Sequence, residues 1–268
     1  MKNRKSVVVS GSSSGLGKAL VLHYARLGYD IGHIARNPEK LKALSEEIQH
    51  SFNVRVVWRS ADTSDAQAQI EALDSLVSEL GEVDIFIANA GYFKRSKIGD
   101  LDFDLLKKML MTNTFGTLCG IEYMLKRTDN QTSPLKIGVV ATTTAFSKPP
   151  YHAYYAASKT GLVGGCNAIQ KYLAVHNRSL TIIYPGYLDI ERFKDRKLPF
   201  KINLHVAVRK IAKAIENGKR EIIFDWRWKL ISQFWKHLPL WAWRIIFKHY
   251  VSPHGDDHWQ DKLWFSRY

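Results

Sequence analysis

Short β-branched runs alternate with longer helical patterns along most of this chain. Ser6–Ser10, Ile31–Ala35, Val54–Arg59, Ile85–Asn89, Ile137–Thr142, Leu180–Tyr184 and Glu221–Phe224 read as strands. Most are apolar throughout, with little polar alternation, as expected of parallel strands covered on both faces. Between them, Gly15–Gly28, Pro38–Ser51, Ala66–Gly81, Phe103–Arg127, Tyr151–Asn177 and Leu204–Gly218 carry helical periodicity. Seven strands joined by helical crossovers predict an α/β fold built on a doubly wound seven-stranded parallel sheet.

The pattern breaks after Trp226. Seven of the eight tryptophans follow Phe224, mixed with Leu230, Ile231, Phe234, Leu238, Leu240, Ile245, Ile246 and Phe247. Lys229, Lys236, Arg244 and Lys248 interleave, and Pro239 divides the stretch into two short segments. The chain therefore divides into a single catalytic domain over residues 1–225 and an aromatic-rich, basic helical tail over residues 226–268 that is no independent domain. Aromatic residues on one helix face and Lys/Arg on the other suit an interfacial helix at a membrane surface. The same stripe equally suits pocket cover or a subunit contact.

The composition, 46% hydrophobic and 24% charged, is that of a globular chain and excludes disorder and low complexity. Two cysteines, Cys119 and Cys166, give neither a disulfide framework nor a metal-ligand spacing. No apolar run is long enough to span a bilayer, and the start of the chain is too short to be a signal peptide. A cytoplasmic protein, peripheral at a membrane surface if the tail docks there, is the expectation. The formal net charge of +14 points to nucleic acid, an anionic membrane or phosphorylated ligands. The basic residues read as spread along the chain, without an RNA-reading aromatic motif, zinc spacing or helix-turn-helix, so no nucleic-acid partner is expected.

Ser10-Gly11-Ser12-Ser13-Ser14-Gly15-Leu16-Gly17 follows the first strand and opens the first helix, the context a dinucleotide-binding turn requires. Gly11 suits the tight turn, Gly15 the approach of a pyrophosphate, and Gly17 the packing of helix on strand. Ser12, Ser14 and Leu16 complete the candidate contacts of this Rossmann-like loop. The anion would sit against free N–H groups at the helix N-terminus. The second strand ends in Ile34-Ala35-Arg36, where an NAD-binding chain usually carries an acid. An arginine there suits a 2′-phosphate, so NADP(H) is favoured over NAD(H). The alternative is a solvated surface charge. Asp62, past the third strand, suits either the adenine amino group or a helix N-cap.

At Tyr155-Ala156-Ala157-Ser158-Lys159, two side chains four residues apart share one helix face. An ammonium beside a phenol stabilises the phenolate and makes a usable acid–base from a group whose ordinary pKa is about 10. Tyr154 is off that face and reads as packing. With the glycine loop, Asn89-Ala90-Gly91 after the fourth strand and Pro185-Gly186 after the sixth, the chain resembles the short-chain dehydrogenases/reductases over about residues 6–225.

The resemblance implies a catalytic set of Tyr155, Lys159, Asn113 and Thr142. Asn113 matches the asparagine that holds a proton-relay water beside the lysine. Thr142 stands where the family has its substrate-orienting serine, with Thr143 as the neighbouring alternative. It further implies that Asn89, Ala90, Gly91, Tyr155, Lys159, Pro185 and Gly186 contact the nicotinamide cofactor. Two further positions depart from the pattern. Ala88 replaces an asparagine, and Ile190 stands where a threonine often meets the carboxamide, leaving the backbone near Leu188 to serve. The function expected is an NADP(H)-dependent oxidoreductase acting on a small lipophilic carbonyl or alcohol, as a homo-oligomer, dimer or tetramer. The alternative is a low-turnover nucleotide-binding regulator or scaffold of the same fold. Residues Tyr187–Asn203 are the expected specificity loop.

Overall fold

Every residue of β1 (Ser6–Ser10) is buried. Val7 and Val9 point to one apolar layer and Val8 to the other, which is why the strand shows no polar alternation. In this computed structural model, residues 4–96, 99, 102–147, 152–191 and 200–225 are described, together with 227, 230, 239, 241, 242 and 245. The other strands are β2 (Asp30–Ala35), β3 (Val56–Ser60), β4 (Ile85–Ala88), β5 (Lys136–Val140), β6 (Ser179–Tyr184) and β7 (Glu221–Ile223). They form one sheet in the order β3-β2-β1-β4-β5-β6-β7. All the pairings are parallel. The predicted doubly wound sheet is the observed one.

Helices α1 (Gly15–Arg26), α2 (Pro38–Ser51), α3 (Ala66–Leu80), α4 (Phe103–Leu110), α5 (Thr117–Arg127), α6 (Thr144–Ser147), α7 (Ala153–Leu173) and α8 (Leu204–Glu216) complete the fold. Leu20, Val21, Leu44, Ile48, Val208 and Ile211 from α1, α2 and α8 cover one face of the sheet. Leu73, Leu76, Ile121, Met124, Leu162 and Cys166 from α3, α5 and α7 cover the other. Asn37, Asp65, Asp102 and Asn203 cap α2, α3, α4 and α8 through their side-chain oxygens. Ser14, the N-cap of α1, makes no such bond, and the first turn of α1 carries no acid.

Several bounds shift by one to four residues, β3 beginning at Val56, β5 ending at Val140 and α7 ending at Leu173, and two differences have a visible cause. The stretch Phe103–Arg127 is not one regular helix, because a π-helical turn, Met111–Gly116, separates α4 from α5. β4 stops at Ala88, since Asn89 leaves the ladder to bond the end of β1. Residue 151, where the helical pattern was expected to begin, and most of the tail lie outside the described residues; α7 itself begins at Ala153, and the two tail segments are not placed.

Candidate functional site

The strand order reverses between β1 and β4, and the loops leaving their C-terminal ends face each other across the resulting crevice. Gly11 takes φ +67° and Gly15 φ +53°, values that favour glycine. A side chain on Gly11 would meet the Ala90 Cα at 2.7 Å, so the β1 and β4 loops touch backbone to backbone. Asn89 stitches them together, its Nδ2 donating to the carbonyls of Gly11 (2.9 Å) and Ser10 (3.2 Å). Gly17 packs directly on the Gly11 carbonyl, bringing α1 against the turn. Above Gly15 the space is open: a Cβ there would meet nothing nearer than the Ile190 side chain at 3.9 Å.

Ser12, expected among the cofactor contacts, lies beneath the loop. It is fully buried, its N–H donates to the Ile34 carbonyl (3.2 Å) and its hydroxyl lies 3.0 Å from His33 Nδ1. Its N–H and hydroxyl thus both meet β2, from where it supports the loop.

Arg36 and Asp62 meet at the outer end of the crevice, Nη1 to Oδ2 3.8 Å, Arg36 well exposed and Asp62 partly so. Asp62 caps no helix; Asp65 is the N-cap of α3. Its Oδ1 accepts instead from the N–H (2.9 Å) and hydroxyl (2.8 Å) of Ser64. Partial burial pushes the Asp62 carboxyl up, but the Ser64 bonds and then Arg36 and Lys108 outweigh it, leaving the group below the usual range.

On the other side of the crevice, Gly91, Asn113 and Lys159 converge. A Cβ on Gly91 would stand 3.4 Å from Asn113 Oδ1 and 3.6 Å from Lys159 Nζ. Asn113, inside the π-helical turn, is fully buried. Its Oδ1 accepts from the Tyr92 N–H (2.7 Å), and its Nδ2 donates to the Tyr92 carbonyl (2.9 Å) and the Ser158 hydroxyl (3.0 Å). Thr114 donates to the Ser158 carbonyl across 2.7 Å, binding the widened turn to α7. Lys159 is buried and donates to the Val140 carbonyl at 2.8 Å; burial brings its pKa down to about 8. Tyr155, one turn earlier and half-buried, meets the Phe93 ring edge-on at 4.8 Å. Phe93 makes the same contact with His152 at 5.0 Å.

Thr142 and Thr143 separate clearly. Thr143 is buried with its N–H on the Pro185 carbonyl, whereas Thr142 is part-exposed and its Oγ1 accepts the Thr144 N–H at 3.2 Å. Leu188 is buried and bridges Ile202; Asp189 pairs with Lys201 at 2.7 Å. These contacts pin the base of the loop whose residues 192–199 lie outside the described residues. Among the described residues, no cluster of His, Cys, Asp or Glu is arranged to hold a metal, and no helix is long and apolar enough to cross a membrane.

A family profile described as short chain dehydrogenase matches residues 5–198. The chain belongs to this family. It is an NAD(P)-dependent dehydrogenase/reductase, and its fold binds a nicotinamide cofactor. An uncharacterized oxidoreductase of Myxococcus xanthus is 28% identical over 237 residues, covering 88% of this chain and 93% of that one. A 3-dehydrosphinganine reductase of Arabidopsis thaliana is 28% identical over 192 residues, 71% of this chain and 57% of that one. Among solved structures, a short chain dehydrogenase of Burkholderia cenocepacia in complex with NADP superposes with a TM-score of 0.71 at 21% identity, over 82% of this chain and 93% of that one.

The residues of this short chain dehydrogenase fit such a cofactor. The open space above Gly15, the uncapped Ser14 and an acid-free first turn of α1 leave room and positive potential for a pyrophosphate. Sequence reasoning missed Phe93, which carries no motif of its own, and Ser158, which sits inside the Tyr155–Lys159 motif yet braces Asn113. It also missed His33, although a titratable ring in the buried strand β2 was a readable signal.

Proposed function

We propose that this short chain dehydrogenase is an NADP(H)-dependent oxidoreductase acting on a carbonyl or secondary alcohol of a small lipophilic substrate. The observation that carries the cofactor preference is Arg36, exposed at the end of β2 in the place of the expected acid. Its guanidinium suits a 2′-phosphate, and its pairing with Asp62 is long enough to yield to a stronger anion. The NADP in the Burkholderia structure is that protein's ligand and supports the same reading.

When bound, the nicotinamide supplies or accepts the hydride. In reduction the Tyr155 hydroxyl gives a proton to the substrate oxygen, and in oxidation the phenolate takes it back. Lys159, still mostly an ammonium at pH 7, stabilises that phenolate. Thr142 holds the substrate oxygen through its part-exposed hydroxyl. The Asn113 side chain is committed to Tyr92 and Ser158, so its main-chain carbonyl is the group for a relay water. Gly11, Ser14, Gly15, Leu16 and Gly17 take the pyrophosphate. Asn89, Ala90 and Gly91, with Pro185, Gly186 and the Leu188 backbone, take the nicotinamide end. The rings of Phe93 and His152 beside Tyr155 support a lipophilic substrate, as does the 3-dehydrosphinganine reductase among the relatives.

Residues 1–225 form the catalytic domain and 226–268 an extension that docks reversibly on anionic membranes. The charge is not evenly spread, contrary to the first reading. Residues 192–268 hold 17 Lys and Arg against 7 Asp and Glu, and the extension itself, 226–268, holds 7 against 3, four of the fourteen net charges. In the same segment Leu230, Trp241 and Ile245 are more than half exposed. Exposed Phe103, Leu110 and Phe115 along α4 and the π turn support a homo-oligomer.

The test is NADPH consumption with aldehydes and ketones of increasing chain length. Turnover that rises with chain length, and NADPH preferred at least tenfold over NADH, is expected; equal use of NADH contradicts the cofactor reading.

A further inference from the structure

We propose that His33 is a positioning residue of the nucleotide loop, holding it in shape through the hydroxyl of Ser12. This rests on the loop binding a nicotinamide nucleotide.

His33 lies in β2 with no exposed surface, in a stretch otherwise made of Ile31, Gly32, Ile34 and Ala35. Its two ring nitrogens reach two different elements. Nδ1 is 3.0 Å from Ser12 Oγ in the loop after β1, and Nε2 is 2.9 Å from Ser45 Oγ on α2. The proton positions follow from Ser45. We assign its hydroxyl proton to the Leu41 carbonyl, 2.9 Å away and one helical turn back, the local acceptor a helical serine ordinarily takes, so that Ser45 Oγ accepts from His33 Nε2–H. A neutral ring then offers a lone pair at Nδ1, and the Ser12 hydroxyl donates to it. Burial keeps the ring neutral, which agrees with this assignment.

The bond fixes more than one side chain. Gly11 and Ser12 both give their N–H groups to the Ile34 carbonyl, at 2.8 and 3.2 Å. Ser12 is thus held to β2 by its backbone through Ile34 and by its hydroxyl, which lies 3.0 Å from His33 Nδ1 and, at the longer distance of 3.3 Å, from the Ile34 carbonyl. The loop that opens the space above Gly15 and the strand that ends at Arg36 become one rigid unit. His33 itself touches neither ligand space nor Tyr155; it acts through Ser12. Preorganising this unit favours nucleotide binding because less freedom is lost when the ligand arrives.

The experiment is NADPH titration, followed by the nucleotide's fluorescence, on the full chain and four variants, each held below its own melting transition. Ser12→Ala and His33→Leu are each expected to raise the NADPH Kd about tenfold, the equivalent of one hydrogen bond. The double variant should be no weaker than the weaker single, because both substitutions remove the same bond. His33→Asn keeps an acceptor close to the Nδ1 position for Ser12 and should stay within about threefold of the parent. A merely structural histidine predicts instead that Asn and Leu lose affinity equally, which would overturn the proposal. Should His33→Leu not fold, Ser12→Ala decides: a Kd equal to the parent's overturns it. A parent chain that binds neither NADPH nor NADH contradicts the nucleotide-binding reading as well; a parent that binds while Ser12→Ala is indifferent contradicts the positioning role alone.

Discussion

The ammonium of Lys159, on α7, donates to the carbonyl of Val140 at the end of β5 across 2.8 Å, out of reach of bulk water. Burial favours the neutral amine and brings the pKa to about 8. The charged form that steadies a Tyr155 phenolate is therefore present below about 8 and lost above it. We expect kcat/KM for NADPH-dependent reduction to hold near pH 7 and to fall once the pH passes about 8. A profile flat to pH 9.5 would show that the charge on Lys159 is not needed.

His33 predicts an acid-side loss of stability. Its pKa is lowered from 6.5 to about 4 by burial. The folded state therefore resists protonation that the unfolded chain accepts. Stability is complete above 6.5, declines as the pH falls from 6.5 to about 4, and levels off below, a loss on the order of 3 kcal/mol in all. Denaturant midpoints of the parent and of His33→Asn, measured between pH 7 and 4.5, should converge as the pH drops. Parallel curves would mean that the ring is not held neutral.

Arg36→Ala removes the guanidinium without setting a second carboxylate beside Asp62. The NADPH Kd should rise by about 10- to 150-fold, the worth of a charge-assisted contact of roughly 1.5–3 kcal/mol. The NADH Kd should move by less than threefold. Equal losses for both nucleotides would show that Arg36 supports the fold of the crevice and does not read the 2′-phosphate.

The seven strands were legible because parallel strands buried on both faces leave short unbroken apolar runs, as in Val7-Val8-Val9 and Ile85-Phe86-Ile87. The glycine loop and the Tyr155–Lys159 pair were legible because their spacing is local. What the sequence hid is long-range or subtle. Ser12 and His33 stand 21 residues apart and meet only because β1 and β2 pair side by side. Met111–Gly116 has ordinary helical composition, and nothing in it announces the wider turn that Gly116, pressed on the Thr63 carbonyl, accommodates. The end of β4 was misread by one residue because the Asn89 amide is drawn to the carbonyls of Ser10 and Gly11.

The basic tail predicts reversible adhesion to anionic lipid. Each lysine or arginine near such a surface contributes about 1 kcal/mol, and exposed Trp241, Leu230 and Ile245 add apolar contact. The full chain should sediment with phosphatidylserine vesicles at low salt and be partly released at high salt. A chain ending at Asp225 should stay in the supernatant. Full-length protein that stays in the supernatant at low salt would assign the tail to pocket cover or a subunit contact.

Tyr155→Phe tests the chemistry most directly, because it removes one hydroxyl while the ring keeps its edge-on contact with Phe93. With a carbonyl substrate found by the NADPH screen, kcat should fall by about 10²–10⁴, the loss expected for a general acid–base. NADPH affinity should stay within about threefold. A variant that keeps most of its turnover would contradict proton transfer by Tyr155 and with it the mechanism proposed for this protein.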